Sequence, residues 1–377
     1  MVHKFKHWLS DNLKGDPVMW AIIILLSLVS IMVVYSASGS LAYKKTGGNT
    51  EHFLIKHSML MLVSFVLMWY AHKLNYKYYA KLSKLGVLIS IPLLVLAFAV
   101  GSKLNDANRW ITIPIINQSF QPSDFAKLSL IAYLASVLAR NQNNMEDWKK
   151  SFVPVLIYSG IICGLIALAN LSTALILFST CMLLMFIGRV PMKYLAMLVL
   201  AGALVGTVAL SFGQRGRTSI NRIKSFMSSE NIPFQAEQSY IAIWNGGLMG
   251  KGPGNSDQKN FLPHSYSDFI YSIIIEEYGL IGGLFILFLY LALLYRGMKV
   301  AANSDRAFGG LLSAGLSFSL VIQAMINMGV AVGVGPITGQ PLPLLSMGGT
   351  SLLFTGLSLG IILSVSRGDI SEEMVNG

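Results

Sequence analysis

The sequence predicts an all-α, polytopic integral membrane protein of about ten transmembrane helices, with both termini in the cytoplasm. Three observations carry that expectation. Of 377 residues, 54% are hydrophobic and 12% are charged, about half the charge of an ordinary soluble domain. The apolar residues recur in stretches of roughly 18 to 25, the length that crosses a hydrocarbon core. Alternate loops between those stretches collect Lys and Arg, as the positive-inside rule requires.

The first span is expected at 18–38. It follows a polar tail with Lys4, Lys6 and Lys14 and is too long for a signal-peptide core, so it should be retained. Further spans are expected at 53–71, 85–101, 122–139, 153–169, 171–187, 193–212, 268–295, 309–330 and 349–365. Little more than Asn170 joins the fifth and sixth, which predicts a tight hairpin. The basic loops hold Lys73, Lys77, Lys81 and Lys84; Arg140, Lys149 and Lys150; Arg189 and Lys193; and Arg296, Lys299 and Arg306. The chain therefore reads as a cytoplasmic tail 1–17, a membrane domain 18–365 and a second tail 366–377.

Three segments fall on the outer side: 102–121, 213–267 and 331–348, the last rich in Gly and Pro. A connection of roughly fifty residues exceeds the usual loop several-fold, and such loops are functional or disordered. This one contains Phe226, Phe234, Tyr240 and Trp244, so it is expected to fold back onto the outer membrane face.

Several function classes fall away. A net charge of +11 serves topology here, and no basic stripe with interleaved aromatics points to nucleic acid. Cys163 and Cys181 sit in apolar runs and read as small hydrophobes. The six His residues make no zinc-binding spacing, and no cofactor is evident. The glycine-rich run 246–254 lacks the Gly-Lys-Ser/Thr ending of a phosphate loop.

The chemistry should lie with the acids. Asp268 opens the 268–295 run at the end of the long outer loop, where a water-soluble group and a lipid tail can meet. It is the best-placed general base. A plainer reading makes Ser267 or Asp268 only the N-cap of a helix. The helix N-terminus favours the charged form of Asp268, and desolvation opposes it. Glu276 and Glu277 lie inside the same apolar run, where an ionised acid is costly and functional by default. Adjacent on a helix, they point about 100° apart, so at least one should turn inward and pair with a cation. Lys127, three residues after Asp124, is the expected partner, and a structural ion pair is preferred to direct catalysis for this group. Arg215, Arg217, Arg222 and Lys224 cluster early in the outer loop, with Arg109-Trp110 as a smaller echo. Their forked or compact charges suit a pyrophosphate, and anionic headgroups are the plainer alternative.

Taken in order, the motifs resemble one family. They are Arg109-Trp110; Gln121-Pro122-Ser123-Asp124-Phe125-Ala126-Lys127; Gly246-Gly247 with Gly250-Lys251-Gly252; Leu262-Pro263; Ser267-Asp268-Phe269; Glu276-Glu277-Tyr278-Gly279; and the run from Pro336 to Pro343 followed by Ser346-Met347-Gly348-Gly349-Thr350-Ser351. This series resembles the SEDS family (shape, elongation, division, sporulation) of FtsW/RodA type, and it looks more like the division branch. The resemblance implies a peptidoglycan glycosyltransferase that polymerises lipid II in the bacterial cytoplasmic membrane, at the septum in the division branch. It implies a class B penicillin-binding protein as partner, beside other membrane proteins of the division machinery. The family's essential Asp falls on Asp268, and its membrane acid and following Lys fall on Asp124 and Lys127. The chain departs where the family has Glu and His before the essential Asp, here His264 and Tyr266, and where Asp-Leu-Gly-Thr becomes Asn170-Leu171-Ser172-Thr173.

The implied reaction joins an acceptor hydroxyl to the donor's anomeric carbon with inversion, expelling a lipid pyrophosphate. Asp268 would serve as base, and the cations, with Mg or Mn as a possible addition, would receive the leaving group. Two alternatives stand beside this reading. One is a lipid II flippase, which the missing internal repeat disfavours. The other is a non-catalytic scaffold that activates a transpeptidase.

Overall fold

The computed structural model describes residues 13–39, 41, 50–104, 107–113, 118–142, 152–212, 216–228 and 232–368. Among them are twelve α-helices and three short strands: α1 (Pro17–Ala37), α2 (Thr50–Lys73), α3 (Lys77–Val100), β1 (Ser102–Leu104), β2 (Ala107–Ile113), β3 (Gln118–Phe120), α4 (Pro122–Arg140), α5 (Val153–Ala169), α6 (Leu171–Ile187), α7 (Met192–Phe212), α8 (Gly216–Met227), α9 (Phe234–Gly246), α10 (Ile270–Ala302), α11 (Ala307–Ala331) and α12 (Thr350–Arg367).

All ten expected apolar segments are helical. Seven of these helices are long and apolar enough to cross a membrane; α5 and α6 are apolar but 17 residues long. α4 lies buried for most of its length, packed against α3, α5, α6, α11 and α12. That position shelters Asp124 and Lys127 from lipid. By contrast, Met59 and Leu62 on α2 and Leu200 and Leu204 on α7 stand exposed, an apolar outer surface that a bilayer would cover.

Local sequence explains the ends. Asp16 caps α1 by accepting from the backbone N–H groups of Val18 and Met19 at 2.9 and 3.0 Å, with Pro17 in the first turn. Its second oxygen accepts from Arg296 Nε at 2.8 Å, which ties the start of α1 to α10. α12 approaches α2 through Gly356 and Gly360, a small-xxx-small pair. A Cβ on Gly360 would fall 2.3 Å from the Met68 carbonyl oxygen, so only glycine permits this contact.

Two expectations need correction. The helix expected from residue 268 begins at Ile270, and Phe269, not Asp268 or Ser267, holds the cap position without a side-chain cap. The helix is also broken at Gly279 (φ 72°, ψ −176°). The glycine-rich segment after α9 fills that break: Lys251 and Gly252 N–H groups donate to the Glu276 and Glu277 carbonyls at 2.9 Å, and Leu280 N–H donates to the Gly247 carbonyl at 2.9 Å. The segment thus serves as a backbone clasp. Within 102–121, expected as an outer loop, the chain forms an antiparallel sheet in the order β1-β2-β3.

The connections collect at two ends. One end gathers Asp16, Lys77, Lys81, Arg140, Arg296, Lys299, Arg306 and Arg367 around two cavities. The other gathers the segments after α1, between α3 and α4, between α5 and α6, before α10 and before α12.

Candidate active site

At the second end lies a cavity of about 360 Å³ that contains Asp268 in its wall. The carboxylate stands on a turn wound about one carbonyl: the N–H groups of Ser267, Asp268 and Phe269 all point to the His264 oxygen, at 3.0, 3.1 and 3.4 Å. His264 reaches this geometry at φ 59°, a left-handed conformation that a non-glycine residue adopts only at a cost.

A second segment, 339–349, closes over this turn. Ser346 Oγ donates to the Ser267 carbonyl at 2.6 Å and Met347 N–H to the Tyr266 carbonyl at 2.9 Å. From α11, Asn327 Nδ2 donates to the carbonyls of Asp268 and Gln340 at 2.8 and 2.7 Å. Gly339 stands against the carboxylate, where an added Cβ would lie 3.5 Å from Asp268 Oδ2. Gln340 Nε2 in turn donates to Thr173 Oγ1 at 2.8 Å, and Asn170 accepts from Thr173 N–H at 3.4 Å to cap α6. Asn170, where the chain departs from the family's Asp, and Thr173, which matches the family's Thr, therefore support the segment that faces Asp268.

Asp268 is half-buried. Burial first, and then the charge of Asp268, push the Tyr266 phenol above its ordinary range, so Tyr266 stays protonated beside the carboxylate.

Asp124 and Lys127 line the same cavity. Their ion pair closes at 2.9 Å between Lys127 Nζ and Asp124 Oδ1. Lys127 also donates to Gln323 Oε1 at 3.3 Å, and Gln323 Nε2 donates to the Pro341 carbonyl at 2.9 Å. This chain couples α4 to the segment over Asp268. Asp124 Oδ2 is buried without a hydrogen-bond partner among the described residues, and an ionised carboxylate oxygen can only accept. Below the pair a narrow cleft of about 30 Å³ continues between Leu128, Ile131, Leu320 and Phe354.

The other expected site residues lie elsewhere. Glu276 is fully buried at the kink of α10, and its cation is Lys251 at 3.1 Å, not Lys127. It also accepts from Ser256 Oγ and from the N–H groups of Asp257 and Gln258 at 3.1 and 3.2 Å. Lys251 bridges to Asp257 at 2.7 Å; that contact leads in raising the lysine's affinity for its proton, and it lowers the acid's. Glu277 accepts from Ser36 Oγ. Both glutamates belong to the clasp.

Arg222, on α8, donates to the Ile337 carbonyl at 3.0 Å and lines a separate cavity of about 240 Å³ beside Tyr240. Arg217 and Lys224 are exposed on α8 and do not line the Asp268 cavity. Arg215 and the Arg109 side chain lie outside the described residues, whereas Trp110 is in the cavity wall. Gln323, Asn327 and Lys56 belong to the site although nothing in their local sequence singled them out.

For a divalent cation, no cluster of three ligating side chains occurs among the described residues. Asp268 and Asp124 are the acids in the cavity wall. One or two carboxylates suit magnesium when substrate phosphates supply further oxygens.

Comparison with known proteins places this arrangement. Residues 16–370 match the family model described as cell cycle protein, of FtsW/RodA/SpoVE type. The chain is 35% identical to stage V sporulation protein E of Bacillus subtilis over 362 residues, covering 93% of this chain and 97% of the relative. It is 33% identical to a probable peptidoglycan glycosyltransferase FtsW of Geobacter metallireducens over 367 residues, covering 96% and 97%. Among solved structures, one from a peptidoglycan synthase complex that coordinates polymerization and crosslinking superposes with TM-score 0.74 at 25% identity, covering 94% and 98%. The rod shape determining protein RodA of Thermus thermophilus gives TM-score 0.70 at 24% identity, covering 95% and 98%, and so shares the fold. Matched along nearly its whole length, the chain belongs to the FtsW/RodA/SpoVE family of cell cycle proteins, the SEDS family.

Proposed function

We propose that this protein is a peptidoglycan glycosyltransferase that polymerises lipid II, with Asp268 as general base. The observation that carries the reading is the shared cavity: Asp268, Asp124 and Lys127 meet in one space whose wall also contains Phe53 and Leu60. A polar reacting centre bordered by an apolar wall suits a substrate with a sugar head and a lipid tail.

The reaction balances without a covalent enzyme intermediate. An acceptor sugar hydroxyl attacks the donor's anomeric carbon, the new C–O bond forms on the face opposite the departing group, and the bond to the lipid pyrophosphate breaks. The hydroxyl proton passes to Asp268, which must lie within hydrogen-bond reach of it. Asp268 is held there by the turn on His264 and by Asn327. The negative charge developing on the pyrophosphate is met by cations in a partly dry site, where they count for more than in water. Lys127 is one such cation, and its bond to Asp124 fixes its position. A bound Mg or Mn ion would supply further charge neutralisation, held by Asp268 or Asp124 and by the pyrophosphate itself.

The same reading places the cavity on the outer face of the bacterial cytoplasmic membrane and the basic end in the cytoplasm, in accord with the positive-inside rule. It takes a class B penicillin-binding protein as partner, supported by likeness to the peptidoglycan synthase complex. Septal work within the division machinery is the proposed setting, supported by the FtsW relatives.

The experiment is polymerisation of lipid II in detergent by the purified protein with a partner whose transpeptidase is inactivated. Polymer from the wild type and none from Asp268→Asn is the expected result. No polymer from the wild-type complex would favour the flippase or scaffold alternative.

A further inference from the structure

The cavity wall contains a cation that neither the proposed base nor the Asp124–Lys127 pair accounts for. Lys56 lies on α2 between Phe53 and Leu60, and all three line the cavity. At spacings of three and four, they share one helical face. That face is therefore a charge set in an apolar strip.

Lys56 differs from Lys127 in what surrounds it. Lys127 is committed to Asp124 and Gln323. Lys56 is exposed and has no acidic partner within ion-pair distance among the described residues. It stands six residues into α2, about 9 Å along the axis, and Lys127 stands five residues into α4, about 7.5 Å along. Both helices begin at the site end and both pack on α12. The two cations therefore lie at similar depth on separate walls of one cavity. Lys56 is also at the end away from the basic loops, so topology does not explain its charge.

We propose that Lys56 binds the pyrophosphate of one polyprenyl-pyrophosphate substrate, with Phe53 and Leu60 flanking the first isoprene units of its tail. The polymerase brings together two carriers of this kind, and Lys127 and Lys56 provide separate positive charges for them. An ammonium is a compact donor to phosphate oxygens, and its flexible stem can follow the headgroup. The proposal rests on the glycosyltransferase reading, yet its test does not require turnover.

The test is binding to the full chain in detergent, comparing undecaprenyl pyrophosphate, undecaprenol and phosphatidylglycerol, for wild type, Lys56→Ala and Lys56→Arg. Loss of one charge-assisted contact should weaken undecaprenyl pyrophosphate binding by about 10-fold or more in Lys56→Ala. Undecaprenol binding should change less than about two-fold, because it lacks the phosphates, and Lys56→Arg should keep most of the affinity. In turnover, Lys56→Ala should raise the KM for lipid II more than it lowers kcat. Equal pyrophosphate affinity in wild type and Lys56→Ala would overturn the proposal. So would an equal loss for undecaprenol, or competition by phosphatidylglycerol as strong as by the pyrophosphate lipid, which would make Lys56 a general headgroup contact. A wild-type protein that binds the pyrophosphate lipid through Lys56 but makes no polymer would sink the polymerase reading and leave the binding site standing.

Discussion

Asn327 holds Asp268 by its backbone: Nδ2 donates at 2.8 Å to the Asp268 carbonyl and at 2.7 Å to the Gln340 carbonyl. One amide nitrogen on α11 thus clamps together the turn that carries the proposed base and the segment that covers it.

Replacing Asn327 should consequently damage rate more than binding. Asn327→Ala leaves the buried Gln340 carbonyl and the half-buried Asp268 carbonyl without this donor, at about 1–3 kcal/mol for a buried unsatisfied group. A falling kcat with a nearly constant KM for lipid II is expected, with the protein still inserted. Unchanged kcat would mean that the clamp does not position Asp268.

Asp268→Asn should abolish visible polymer while leaving the fold intact. The amide keeps the size of the side chain, the Asn327 bond goes to the unchanged backbone, and the helix cap falls on Phe269. Loss of a general base costs about 100- to 10,000-fold in rate. Near-normal polymer length and yield would remove Asp268 from the chemistry. Capping does not compete as an explanation, because the helix does not use this side chain as its N-cap.

Sequence made the bundle legible because each apolar run is long and Lys and Arg collect in alternate connections between runs. Asp268 was legible for the same reason, as an acid at the mouth of such a run. The partner of Glu276 was not: Lys251 is brought to it by a backbone clasp through glycines 25 residues away, which no helical periodicity encodes. Gln323 and Asn327 look like ordinary amides inside an apolar helix until the 339–349 segment folds against them. The α8 cations were misplaced because charge and sidedness do not give distance; Arg222 spends its guanidinium on the Ile337 carbonyl.

Lys127→Ala should lower stability at least as much as activity. It strips the buried Asp124 of its countercharge, and Asp124 Oδ2 already lacks a hydrogen-bond partner among the described residues. Removing one member of a buried pair costs about 3–5 kcal/mol. A lower melting temperature and lower abundance in the membrane are expected, and Asp124→Asn combined with Lys127→Ala should recover part of the stability. Normal stability with no activity would assign Lys127 to substrate alone.

Gly279→Ala should destabilise the clasp beyond repair by side-chain movement. Gly279 has φ 72°, and an added Cβ would fall 2.2 Å from the Leu248 carbonyl oxygen, which is backbone. Both the left-handed conformation and the collision oppose the substitution. Reduced accumulation of folded protein in detergent is the expected reading. Full accumulation would show that the kink in α10 can move.

Among the α8 cations, the structure separates Arg222 from its neighbours. Arg217→Ala combined with Lys224→Ala should change the KM for lipid II by less than about two-fold, since solvent-exposed charges outside the cavity act weakly through screening. Arg222→Ala should do more, because its bond to the Ile337 carbonyl restrains the segment that continues to Gly339 against Asp268. The signature should be a lower kcat, as for Asn327→Ala, with the protein still stable. A large KM increase from the Arg217 and Lys224 pair would instead return α8 to direct pyrophosphate binding, and it would require this helix to move toward the cavity when substrate enters.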